Sequence, residues 1–132
     1  MKLEDQCCSF DLSVKLNELG VAQHSIFYWK QNEIQTVVTE RQMKEWIQKH
    51  LPACNEYFSA FTVAELGLMI TDTIFGSTFW LRNFHGMNLQ LLEGNKKHDF
   101  KGRTEADCRA ELLIFLIEEK KIRIEDINEC IK

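Results

Sequence analysis

The chain has 132 residues, 45% of them hydrophobic and 27% charged, with a formal net charge of −4. That is long enough to bury a core without staples, and the acidic balance argues against a non-specific nucleic-acid binder, which normally carries a basic excess. The longest uninterrupted apolar run is the six residues from Leu112 to Ile117, far too short to cross a bilayer.

Residues 1–8, MKLEDQCC, read as a polar lead-in without the apolar stretch of a signal peptide. A cytoplasmic protein is therefore expected, folded as a single compact domain over 1–132. The five cysteines, Cys7, Cys8, Cys54, Cys108 and Cys130, are then expected to be reduced thiols. No Cys-x-x-Cys pair is present, so no metal site is expected.

Ser9 can cap a first helix from Phe10 to Leu19, with Leu12, Leu16 and Leu19 on one stripe. Gly20 follows where a left-handed backbone suits glycine. Ser25 to Lys30 and Glu33 to Val38 read as two strands turned by Gln31-Asn32. Thr39 and Gln42 can box the start of a second helix that Pro52 ends after Leu51. On it Met43, Trp46, Ile47 and His50 share a face. Residues 53–61 read as irregular or briefly extended.

A third helix, Thr62 to Ile70, starts with a Thr62/Glu65 capping box and turns Val63, Leu66, Met69 and Ile70 inward. Gly67 within it costs about 1 kcal/mol against alanine, which a close approach to a sheet would explain. Ser77–Phe84 and Met87–Leu92 form a second hairpin around His85-Gly86. A polar loop follows over 93–103, with a short extended piece at His98 to Lys101.

Thr104 to Ile122 is the spine of the chain. Thr104 is a good N-cap, and Asp107 stands where a carboxylate can reach back to it. Glu105 and Asp107 suit the positive end of the helix dipole, Lys120 and Lys121 the negative end. Ala106, Ala110, Leu113 and Ile117, widened by Leu112, Phe115 and Leu116, predict burial on several sides. Ile124, Ile127 and Ile131 mark a last helical segment. The fold class expected is α+β: an antiparallel sheet of two hairpins with helices, the 104–121 helix packed on one face.

Several fragments in this order resemble a known family: Leu16-Asn-Glu-Leu-Gly20, Phe27-Tyr28-Trp29, Thr62-Val-Ala-Glu-Leu-Gly67, Trp80, and Thr104-Glu-Ala-Asp-x-Arg109-Ala110-x-Leu112-Leu-Ile-x-Leu-Ile117-Glu118. It is an uncharacterised family of small proteins from gut bacteria, their phages and prophages. Phe61 stands where that family often has proline, and Cys108-Arg-Ala-Glu-Leu-Leu where it often has Ala-Arg-Ala-Lys-Met-Leu. The resemblance implies a compact intracellular domain of mobile-element origin, and it carries over no catalytic residue.

Chemistry-bearing patterns are sparse. There is no G-x-S-x-G elbow, Walker loop or G-x-G-x-x-G. His24, His50, His85 and His98 are scattered, so the least favoured reading is a small hydrolase pairing Cys54 or Cys108 with a histidine. No catalytic, cofactor or metal residues are expected. The aromatic strands are richer. Tyr28, Trp29 and Trp80, with Lys30, Arg82, Lys96 and Lys97, form the candidate partner surface, although a layer of helices over the aromatics is the favoured reading. The function expected is a non-enzymatic binding or accessory protein of bacterial, phage or prophage origin. It would act through protein–protein contacts, self-association included. The alternative is a nucleic-acid-associated module that stacks bases on an aromatic sheet face.

Overall fold

In a computed structural model the described residues are 2–30, 36–49, 57–74, 79–84, 88–93 and 96–131. Of 71–74, 79–84, 88 and 92–93 only the backbone is described. Gln31-Asn32, His50 to Asn55, Gly76 and the His85-Gly86 turn lie outside them.

The chain runs α1 (Leu3–Gln6), α2 (Phe10–Glu18), β1 (Phe27–Lys30), β2 (Thr36–Thr39), α3 (Glu40–Lys49), β3 (Tyr57–Ser59), α4 (Val63–Ile74), β4 (Phe79–Phe84), β5 (Asn88–Glu93), β6 (Lys96–Lys101), α5 (Glu105–Glu118) and α6 (Ile124–Cys130). The class is α+β. The two hairpins belong to two separate antiparallel sheets, β2-β1-β3 and β4-β5-β6. Each gains a third strand: β3 from the stretch expected to be irregular or briefly extended, and β6 from the 93–103 loop, where the extended piece expected at His98 to Lys101 starts two residues earlier. In β6 the alternation is visible in retrospect: His98 and Phe100 are half-buried, whereas Lys97, Asp99 and Lys101 are exposed. Charged side chains along an edge strand discourage pairing with another chain.

Helix α5 is the core. Seven of its fourteen residues are buried: Ala106, Cys108, Ala110, Leu112, Leu113, Ile114 and Leu116. They join Leu16 and Val21, Leu66, Met69 and Ile70 of α4, Leu89 and Leu91 of β5, and Ile127 of α6 in one apolar cluster. On the sheet side, His98 and Phe100 lay their rings on Phe115, with centroids 4.7 and 5.3 Å apart. Gly67 faces the flexible end of an α5 side chain, not the sheet contact expected. A Cβ there would stand 2.8 Å from Arg109 Nη1 of α5.

The caps follow local chemistry. Leu12 N–H donates to Ser9 Oγ at 3.4 Å and Asp107 N–H to Thr104 Oγ1 at 3.2 Å. The Asp107 carboxylate does not reach back to its own cap. It accepts from Ser9 N–H at 2.7 Å, tying the start of α2 to the first turn of α5. The opening residues also depart from a polar lead-in. They form one helical turn, then Cys7 bridges to Thr62 and Cys8 N–H donates to Phe61 O, with both cysteines buried. The thiols are small packing groups that fill space against Phe10, Trp29 and Ala60 on one side and the main core on the other.

Helices α2 and α5 end alike. After α2, Gly20 N–H donates to Asn17 O and Val21 N–H to Leu16 O; after α5, Lys120 N–H donates to Ile117 O and Lys121 N–H to Leu116 O. Both are Schellman turns. Gly20 takes its left-handed backbone at φ 98°, but Lys120 holds φ 57°. A side chain in that region is strained by roughly 1 kcal/mol. Lys120→Gly should therefore raise stability by about 0.5–1 kcal/mol, seen as a higher Tm in thermal melts. A lower Tm would show that Lys120 is held by something stronger than the strain.

Candidate partner-binding groove

Of the candidate surface drawn from the aromatic strands, Tyr28 and Trp29 are covered. Trp29 is buried, donates its indole N–H to Cys8 O at 2.8 Å and meets Phe10 edge-on. Tyr28 is buried too, its hydroxyl accepting from Ser25 N–H and donating to Gln23 O. Neither can act as a stacking platform, because α1 and α2 cover one face of the first sheet and α3 packs on β1 and β2. Lys30 is half-buried, its ammonium 3.0 Å from the centre of the Trp46 ring. Lys96 and Lys97 are exposed at the start of β6. Trp80 and Arg82 lie on β4, and their side chains are outside the described residues. Of the expected surface, Lys96 and Lys97 are the exposed side chains among the described ones.

The exposed apolar side chains are elsewhere. Among the described residues the exposed large hydrophobics are Ile26 (61%) and Leu68 (50%). Both line one open groove of about 520 Å³. Its walls come from four separate segments: His24 to Ile26, Thr39 to Arg41, Glu65 with Leu68, and Cys130 with Ile131. Apolar Ile26, Leu68 and Ile131 line it together with polar and charged side chains, a mixture usual at protein contacts.

Glu65 builds one wall. It closes the capping box of α4, with Glu65 N–H donating to Thr62 Oγ1 at 3.2 Å and Thr62 N–H to Glu65 Oε1 at 3.0 Å. The same carboxylate accepts from Ser25 Oγ at 2.9 Å and from Ile26 N–H at 3.3 Å. Ile26 is thereby held over α4 with its side chain outward. At the start of α3 Gln42 N–H donates to Thr39 Oγ1 at 3.2 Å and Thr39 N–H to Gln42 Oε1 at 2.9 Å. This second box fixes where Glu40 and Arg41 emerge.

A second hollow, about 240 Å³, lies between the starts of α2 and α5 and includes Cys7, Trp29, Arg103 and Asp107. Its cation is already committed, since Arg103 donates to Asp5 at 2.8 Å. Its thiol is a poor nucleophile: burial, then the charges of Cys8, Glu65 and Glu4, push Cys7 up to about 12. Burial raises Cys8 to about 11 and raises Cys108 as well. Of the residues in the hydrolase reading, Cys54, His50 and His85 lie outside the described residues. Cys108 is fully buried, His98 lies on Phe115, and His24 is exposed in the groove. Among the described residues no three His, Cys, Asp or Glu side chains are grouped to hold a metal ion, and no helix is long and apolar enough to cross a membrane. Comparison with protein families, with curated proteins and with solved structures finds no match.

Leu68 had a trace in the sequence, lying off the inward stripe of Leu66, Met69 and Ile70. Ile26 falls inside the strand expected from Ser25 to Lys30, and only the structure leaves it outside the paired Phe27–Lys30. Neither position announces the other.

The double role of Glu65 makes a controlled comparison with Gln42, which has the cap role alone. Glu65→Ala should cost about 1–2 kcal/mol more than Gln42→Ala in denaturant unfolding. Equal losses would mean that the bonds to Ser25 and Ile26 contribute nothing. The thiols give a pH prediction. Cys7 and Cys8 hold their protons more tightly folded than at the ordinary value of 9.0, so the folded state binds more protons above that pH. Stability is retained below about pH 9 and falls as pH rises towards 11–12. Cys8→Ala should flatten part of that alkaline fall in unfolding measured across this range. An unchanged slope would remove Cys8 as a contributor.

Proposed function

We propose that the chain is a non-enzymatic binding or accessory protein, of bacterial, phage or prophage origin, that works in the cytoplasm through protein–protein contacts. The observation that carries this reading is the placing of Ile26 and Leu68, the exposed large hydrophobics among the described residues, in one groove. Apolar side chains scattered singly need no explanation, but paired in a rimmed concavity they favour a partner. The raised thiol pKa values leave the buried cysteines Cys7, Cys8 and Cys108 poorly suited to nucleophilic catalysis. A base-stacking role lacks the aromatic surface it would need at Tyr28 and Trp29.

A photo-crosslinking amino acid placed at position 26 or 68, with position 97 on the β6 edge as control, tests the reading in cells. Protein adducts should form from 26 and 68 and not from 97, and Leu68→Asp should abolish those formed from 26. Adducts that do not distinguish the three positions, or none from the groove, would contradict it.

A further inference from the structure

The groove lacks an assigned occupant, and its rim narrows the choice. Glu40 and Arg41 stand side by side on it. Arg41 is 89% exposed. Among the described residues each is engaged within its own helix, Glu40 with Lys44 at 3.0 Å and Arg41 with Glu45 at 3.3 Å. Such i,i+4 surface pairs are weak and readily exchanged. Two adjacent opposite charges beside apolar side chains complement themselves. Across a two-fold axis Glu40 of one copy meets Arg41 of the other, and the reverse contact forms at the same time.

We propose that the occupant of the groove is a second copy of this chain, docked isologously so that Ile26 and Leu68 are covered and Glu40 pairs with Arg41 across the two-fold. This rests on the reading of the groove as a protein-contact site and adds the identity of the partner. A competing edge-to-edge association through β6 is opposed by its exposed Lys96, Lys97, Asp99 and Lys101. The two adjacent charges set the register, and the apolar pair supplies the area removed from water.

A charge exchange tests this with the intact chain. By size-exclusion chromatography with light scattering, the wild type should run at twice the 15.5 kDa chain mass. Glu40→Arg places two positive charges on each rim and Arg41→Glu two negative ones. Each variant alone should dissociate, weakening self-association by roughly tenfold or more, with its thermal melt still cooperative. An equimolar mixture should recover the dimer, because the doubly positive rim of one variant then faces the doubly negative rim of the other at both symmetry-related contacts. Ile26→Asp should be monomeric and should not be rescued by mixing. A wild type that is monomeric at about 0.1 mM, or single variants that dimerise as well as the wild type, would overturn the proposal. So would a mixture that stays monomeric while both variants are folded. If the wild type is monomeric but positions 26 and 68 still crosslink to other proteins, the second copy is excluded and the protein-contact reading stands. If they crosslink to nothing, both fall.

Discussion

A helix buried on several sides imposes its needs on everything around it. Helix α5 hides half its residues, and no single layer could cover them. Helices α2, α4 and α6 and the β5–β6 face all pack against one cluster in consequence. Complete burial of a Leu or Ile side chain contributes about 1.5–3 kcal/mol, so this one helix gathers much of the favourable burial in the chain. Its polar residues are placed at the seams. Asp107 accepts from the start of α2, and Arg109 pairs with Glu105 at 3.0 Å while lying across Gly67 of α4.

The second constraint follows from the first. Between α2 and β1 the chain has eight residues, Leu19 to Ile26, without regular structure, and buried backbone groups need partners. Side chains from three other elements supply them. Asn128 of α6 accepts from Ala22 N–H at 2.7 Å and donates to Gly20 O at 3.2 Å. Tyr28 of β1 serves Gln23 and Ser25, and Glu65 of α4 serves Ser25 and Ile26. Gln23 itself accepts from Ser59 N–H at 2.7 Å. This bonding couples the first sheet to the α5 core and holds Ile26 where it lines the same groove as Leu68. The groove is a product of polar satisfaction in a segment that forms neither helix nor strand.

What could be read in advance was local. Caps depend on residues three or four apart, so the boxes at Thr39/Gln42 and Thr62/Glu65 and the turn at Gly20 were legible. The apolar breadth of α5 was legible too, because periodicity records burial. What depends on distant partners was not. The division into two sheets turns on which strands lie side by side, and Tyr57–Ser59 and Lys96–Lys101 carry weak strand signals of their own. Tyr28 and Trp29 alternate as any half-exposed strand would, and only the packing of helices around the sheet decides that both are covered. Asp107 sits at the position of a capping-box acid, and nothing local reveals that Ser9, far off in sequence, takes its carboxylate. The groove was the least legible feature, since four segments contribute to it and no motif links them.

The claim with most depending on it is that the Leu19 to Ile26 connector is held rigidly by these side chains, so that the groove exists before any partner arrives. Native-state hydrogen exchange of the Ala22 and Ile26 amides tests this directly, because both lie outside regular structure and donate to side chains, Asn128 and Glu65. Protection approaching that of the α4 amides is the expected result. Exchange at the rate of an unstructured peptide would contradict a preformed groove.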